Sequence, residues 1–418
     1  MTEKLFEIRN EFYTFNTDRC GNNGTGLTIY YPKEKNPRSE IAVIAMHGSG
    51  YMGFTPMIEM AKRGFIAAGI APRKKNIDGW LKEAKTCIDF VKKHTGVKKV
   101  VLMGHSQGGC MLSCYQYIAE NGTDRFKYTD RIIPFPEIEP LTPGDGLMLI
   151  DANYGIMSVL ALDPAVRSLK NGYERIPELD IFNPENGYAP GGSHYNKEFV
   201  RRFQKAQIKM YKDLLAYAQE RMELIKQGKG MFRDDEPILI PGGAGGSSNN
   251  KPFCMDVSLL GRTSKPQPLL HPDGTVTTDQ IVYTVRTPVD SVHSSVYNRG
   301  AHSTTVKSLL EGEMKFDDDF GYDECTMWGL DGNFNPLSTR ENVKGIHVPI
   351  LLQGNTASHE FVNTEFNFDA SVSADKEIIM SEGSCHDFGP VSEKYGDTLT
   401  PTARYFADWI GKPGRFID

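Results

Sequence analysis

Ser106 sits at the centre of Gly104-His105-Ser106-Gln107-Gly108, a G-x-S-x-G pattern. Glycine two positions to either side lets a helix approach a strand closely enough to hold a strained serine whose hydroxyl stays exposed. A hydroxyl held this way is suited to attack on a carbonyl carbon, provided a base takes its proton and N–H donors receive the charge that develops on oxygen. The chain has ten histidines that could serve as the base, and a lone histidine does not single itself out. The donors are expected from a second glycine loop, His47-Gly48-Ser49-Gly50, through the N–H of Ser49, and from the N–H of Gln107, which follows the serine at a helix start.

Such a serine needs a strand in front of it and a helix behind it, and the sequence supplies both. Residues 98–103 (KKVVLM) read as a strand, and 107–120 as a largely apolar helix closed by Asn121-Gly122. The His47 loop likewise follows an apolar strand at 41–46. Further strands are expected at 65–70 and 146–150, with helices at 54–64 and 77–95. In the second of these helices Ile77, Trp80, Leu81, Ala84, Ile88 and Val91 share one face. This alternation predicts a mostly parallel sheet with helices on its faces.

From about residue 157 the rhythm breaks, and it resumes only with a strand at 347–352, followed by one at 376–380 and a closing helix at 400–410. The chain therefore reads as a core in two parts, 1–156 and 343–418, around a cap or lid at 157–342. Within the cap, Phe199, Phe203, Met210, Leu214, Ala218, Met222 and Ile225 mark a long helix, so the cap is expected to be mainly helical. Pro241 to Asn250 (PGGAGGSSNN) lacks the Gly-Lys-Ser/Thr of a phosphate loop and reads as a plain loop. Asp317, Asp318 and Asp319 lack calcium-loop spacing and read as a solvated surface.

The strand–HGSG, strand–GHSQGG–helix and late strand–histidine arrangement resembles the α/β-hydrolase superfamily over about 230 residues. The stretch from Gly104 to Gly122 and the terminal EGSCHDF are similar to uncharacterised bacterial and fungal members with a long insertion. The resemblance implies an α/β fold and a Ser–acid–His triad, with His386 in the loop that carries the family's histidine. The family's acid usually follows the strand at 347–352, yet QGNTASHEFVNTEF contains no aspartate. Glu365, where the long-insert relatives carry a glutamate, is the first candidate. Glu360, 26 residues before His386, is the second, and Asp151, at the end of the 146–150 strand, is the third.

The function implied is a serine hydrolase that cleaves an ester, thioester or lactone of a partly apolar small molecule through an acyl-enzyme on Ser106. The same triad would serve an acyltransferase or a β-diketone C–C hydrolase, and the same fold a ligand-binding receptor. No cofactor is expected. His47 and His105 belong to backbone-shaping motifs and are read as loop-orienting. His94, His194, His271, His293, His302 and His347 form no ligand-spaced cluster, so no metal site is expected.

Composition removes other classes of partner. With 47 basic against 53 acidic residues, a net charge of −6 and no long basic stretch, the chain is not expected to bind nucleic acid. At 39% hydrophobic, with no apolar run of 18 residues, it is not expected to span a membrane. Seven scattered cysteines, an odd number, predict no disulfide framework, and Cys110 and Cys114 read as buried thiols on one helical face. The start, MTEKLFEIRN, lacks the apolar stretch of a secretory signal. A cytoplasmic protein with a small-molecule substrate, and a possible homo-oligomer, is the expectation.

Overall fold

A computed structural model of the chain describes residues 3–15, 24–74, 76–155, 157–166, 174–242, 251–288 and 301–417. Its centre is a ten-stranded sheet. The first six strands are β1 (Ile8–Phe15), β2 (Thr25–Pro32), β3 (Ile41–Met46), β4 (Ile66–Ala71), β5 (Lys99–His105) and β6 (Gly146–Ile150). Interleaved with them are α1 (Thr55–Lys62), α2 (Ile77–Thr95) and α3 (Gln107–Asn121). The segment that follows holds α4 (Met157–Leu160), α5 (Lys197–Lys226), β7 (Pro237–Pro241), α6 (Pro252–Met255), β8 (Leu269–Leu270), β9 (Val276–Thr277), β10 (Ala301–Thr305), α7 (Val306–Glu311), β11 (Lys315–Tyr322), β12 (Met327–Asp331) and α8 (Thr339–Asn342). The chain closes with β13 (Ile350–Asn355), α9 (Phe361–Ala370), β14 (Lys376–Ser381) and α10 (Leu399–Ile410).

The sheet order is β1-β2-β4-β3-β5-β6-β13-β14-β8-β9. From β4 to β8 neighbouring strands run parallel; β1, β2 and β9 are the antiparallel additions at the two edges. The inner parallel strands β3 and β6 are apolar and buried along their whole length because both faces are covered. In β3, Ala42, Ile44 and Met46 pack on one side with Trp80 and Leu81 of α2 and Leu112 of α3. Ile41, Val43 and Ala45 pack on the other with Met57 and Met60 of α1 and Phe406 and Trp409 of α10. The predicted α/β architecture is therefore present, helices lying on both faces.

β6 and β13 are sheet neighbours, in register from Leu147 opposite Ile350, although the whole intervening segment separates them in the chain. α5 is the expected long helix; the side chain of Asn196 caps it by accepting the N–H of Phe199. Phe199, Phe203, Tyr211, Ala218 and Ile225 on its face build a core that continues onto Phe361 and Val362 of α9 and Ile378 and Met380 of β14. Besides helix, the segment carries two strand pairs, β7–β10 and β11–β12. It also returns to the sheet: β8 pairs with β14, where a break in the alternation was expected. Two residues are too few for a strand to leave a periodic signal.

β13 starts later than the predicted 347 because Pro349, which has no N–H for a ladder, stands before it. Cys110 and Cys114 are buried free thiols, as read, and all six described cysteines are free. Asp317, Asp318 and Asp319 are exposed on β11. Most of the glycine-rich loop, from 243 on, lies outside the described residues, as do His293 and Cys20. Among the described residues no helix is long and apolar enough to cross a membrane.

Candidate active site

Ser106 occupies the single-residue corner between β5 and α3, at φ 54° and ψ −128°. Its carbonyl oxygen accepts from the N–H groups of Gly109 and Asn153, both at 3.0 Å, which pins the corner from two sides. The flanking glycines are required by close approach. A Cβ on Gly108 would stand 2.0 Å from the carbonyl oxygen of Met46, and one on Gly104 would stand 2.7 Å from that of Gly108. The left-handed φ of a non-glycine residue costs of order 1–3 kcal/mol, held here by packing around the turn. Ser106 itself is half-buried.

Asp151 follows β6 directly and is fully buried, also at positive φ, 43°. Its Oδ1 accepts the N–H of Asn355 at 3.1 Å, and its Oδ2 lies 2.5 Å from Nδ1 of His386. A serine on a strained strand-to-helix turn is thus followed in the chain by an aspartate and then by the histidine it contacts, on a mostly parallel sheet. The chain has the α/β-hydrolase fold.

In this α/β-hydrolase sheet the three groups come from the carboxyl ends of β5, β6 and β14. Burial opposes a charge on His386, but the hydrogen bond and charge of Asp151, helped by Glu360, outweigh it and raise the imidazole above its ordinary value. Lys251 opposes that rise. Ser358 Oγ also lies 3.3 Å from Nδ1. Nε2 of His386 has no hydrogen-bond partner among the described residues, and serine–histidine bonds in unliganded sites commonly form only when substrate is bound.

His105 supports this arrangement from below, as its reading as a loop-orienting residue anticipates. Burial first, then the charges of His386 and His47, hold its pKa well below the ordinary imidazole value. The neutral ring bridges Tyr51 and His386: Nε2–H donates to the carbonyl oxygen of His386 at 2.8 Å, and Nδ1 accepts from the Tyr51 hydroxyl. The ligand-type atoms of His105, Asp151 and His386 fall within 4.8 Å of one another. Both nitrogens of His105 and Nδ1 of His386 are engaged in the bonds just described.

Three sequence expectations need correction. Glu365, the first candidate acid, is buried on α9, and its carboxylate accepts from the Ser264 N–H and the Gln267 side-chain amide, both at 2.7 Å; it ties a loop of the intervening segment to the core. Glu360, the second candidate, points to His359 Nε2 at 3.1 Å and Lys251 Nζ at 3.7 Å, not to His386. The acid on His386 is Asp151, the third candidate, because β6 lies between β5 and β13 and its end reaches the histidine loop. Ser49 is exposed, and its N–H donates to His47 Nδ1 at 3.0 Å, so that hydrogen is taken. Gln107 is the first residue of α3, where the helix offers its N–H no internal acceptor.

His359, Ser358 and Tyr51 escaped the sequence reading. His359 stands in QGNTASHEF directly after a strand, at the level of the site, and its ring centroid lies 5.3 Å from that of His386. That position was its one legible signal.

No family model matches the chain, and no curated protein matches it. Among solved structures it is similar to a hypothetical protein from Pseudomonas aeruginosa, at 13% identity and a TM-score of 0.44, covering 96% of this chain and 94% of that one. It is also similar to Est1E from Butyrivibrio proteoclasticus, at 9% identity and a TM-score of 0.41, covering 96% and 97%. A thermostable carboxyl esterase from Bacillus coagulans gives 11%, 0.41, 98% and 99%.

Proposed function

We propose that the protein is a serine hydrolase that cleaves an ester, thioester or lactone of a small organic substrate, with Ser106 as nucleophile, His386 as base and Asp151 as the acid that orients it. The observation that carries this reading is the 2.5 Å contact of Asp151 with His386 Nδ1 beside a serine held on a strained turn. With Nδ1–H donated to Asp151, the proton-accepting lone pair of His386 is on Nε2. His386 takes the Ser106 proton as the hydroxyl oxygen bonds to the substrate carbonyl carbon. The N–H of Gln107 receives the oxyanion; Ser49 could join it only by giving up its bond to His47. His386 then returns the proton to the leaving alcohol or thiol as its bond to the carbonyl carbon breaks. Water, deprotonated by the same imidazole, releases the acid and restores the serine.

Asp151 holds the tautomer and stabilises the imidazolium that forms at each step. The segment between β6 and β13, which supplies Lys251 beside Glu360, would act as the cap that shapes the substrate pocket. A fluorophosphonate probe tests the assignment. It should label the native protein and fail to label Ser106→Ala; labelling that survives the substitution would remove Ser106 from the reaction.

A further inference from the structure

Beside the proposed triad lies a second polar cluster that the hydrolytic steps do not use. Two of its members come from loops at the same end of the sheet: Tyr154 is three residues past Asp151, and Glu360 is in the loop after β13, two past Ser358, whose hydroxyl lies 3.3 Å from His386. The other two, Lys251 and Arg286, come from the intervening segment. All four are buried, Lys251 completely and Arg286 to 7% exposure. Three of them surround one ring. Lys251 Nζ and Arg286 Cζ each lie 5.8 Å from the centroid of Phe253, and the Tyr154 ring centroid lies 6.3 Å from it. The cluster adjoins the site, since Glu360 contacts His359 at 3.1 Å and the His359 ring lies 5.3 Å from that of His386. His359 and His386 form its solvent-facing rim, with 22% and 32% of their side chains exposed.

The hydrogen-bond inventory of this cluster does not close. Among the described residues, Lys251 Nζ, Arg286 Nε and Nη1, and the Tyr154 hydroxyl are buried without a hydrogen-bond partner; the acceptor left over is Glu360 Oε2. Lys251 reaches Glu360 Oε1 only at 3.7 Å, an ion pair without a hydrogen bond. Arg286 Nη2 alone is satisfied, by the carbonyl oxygen of Leu259 at 2.8 Å. Asp256, the other carboxylate acting on Arg286, is taken by the N–H groups of Tyr195 and Ser258 and the Ser258 hydroxyl. With Glu360 it balances the two cations, but the donors remain in excess. Buried cations and donors left this way cost several kcal/mol unless an acceptor-rich group completes them.

We propose that Lys251, Arg286 and Tyr154 form a subsite for a carboxylate of the substrate, so that the ester hydrolysed carries a free acid group on one of its two halves. A carboxylate supplies up to four lone-pair positions, which match the unpaired donors. Glu360 and Asp256 would repel a dianion, which favours a carboxylate over a phosphate. The proposal rests on the hydrolase reading for its chemistry, but the binding it requires does not.

The first test compares kcat/KM on the native protein for mono-p-nitrophenyl glutarate and p-nitrophenyl valerate, and for 4-carboxyphenyl butyrate and phenyl butyrate. One acidic ester should exceed its neutral counterpart by about tenfold or more, which also tells which half bears the acid. If neither does while fluorophosphonate labels Ser106, the subsite is wrong and the hydrolase reading stands. The second test is calorimetric titration of Ser106→Ala with glutarate and with inorganic phosphate. Glutarate should bind, and more tightly than phosphate, and adding Arg286→Gln should weaken it about tenfold or more. Glutarate binding in a protein that neither labels nor hydrolyses any ester would keep the subsite and remove the hydrolase. Phosphate binding tighter than glutarate would overturn the carboxylate assignment. Should Arg286→Gln fail to fold, the native ester pairs decide alone.

Discussion

Asp151 Oδ2 stands 2.5 Å from His386 Nδ1, joining the end of β6 to a loop 235 residues further along the chain. Under the proposed function that contact decides which imidazole nitrogen is left to act on Ser106.

Replacing the acid should therefore separate Asp151 from the glutamates. Asp151→Asn should lower kcat/KM on a p-nitrophenyl ester by about 10³–10⁴-fold, since an amide can hold the wrong tautomer in place. Glu365→Gln should leave kcat/KM within about threefold while lowering stability by about 1–3 kcal/mol, because Ser264 and Gln267 lose a charged acceptor in a buried place. A large kinetic loss in Glu365→Gln with a small one in Asp151→Asn would reverse the assignment.

The pH profile should carry the signature of the same pair. His386 must be neutral to take the serine proton, and Asp151 raises its pKa despite burial. Activity should then rise with pH through a midpoint above the ordinary value of about 6.5. In Asp151→Asn the largest upward influence is gone, leaving only Glu360 against burial and Lys251, so the residual activity should titrate at lower pH than in the native protein. An unmoved midpoint would show that the limb reports another group.

The serine corner makes a prediction for stability. Gly108→Ala puts a Cβ 2.0 Å from the Met46 carbonyl oxygen and should cost about 1–3 kcal/mol or more, read as a lower midpoint in urea. Gly53→Ala, where nothing lies within 4 Å of the added carbon, should stay within about 0.5 kcal/mol. Equal effects would mean that α3 can move away from β3 at little cost.

Much of this protein is written locally. The apolar run Ile41–Met46 is buried on both faces and could only be an inner strand, while Trp80, Leu81, Ala84 and Ile88 share the buried face of α2. Gly104-x-Ser106-x-Gly108 defines a corner through steric demands that three neighbouring residues impose on one another, so the strained serine turn is legible in the sequence alone. The acid was not. Glu365, Glu360 and Asp151 are all buried carboxylates at or after strand ends, and what separates them is that β6 lies beside β5 while Glu365 and Glu360 turn to Ser264, Gln267 and Lys251 of the intervening segment. The order of strands in a sheet is a sum of many long-range contacts, and no short stretch of sequence encodes it. The same holds for the N–H of Ser49, turned to its own loop's His47, and for Lys251 and Arg286, which meet Glu360 and Tyr154 only because separate loops converge on one buried place.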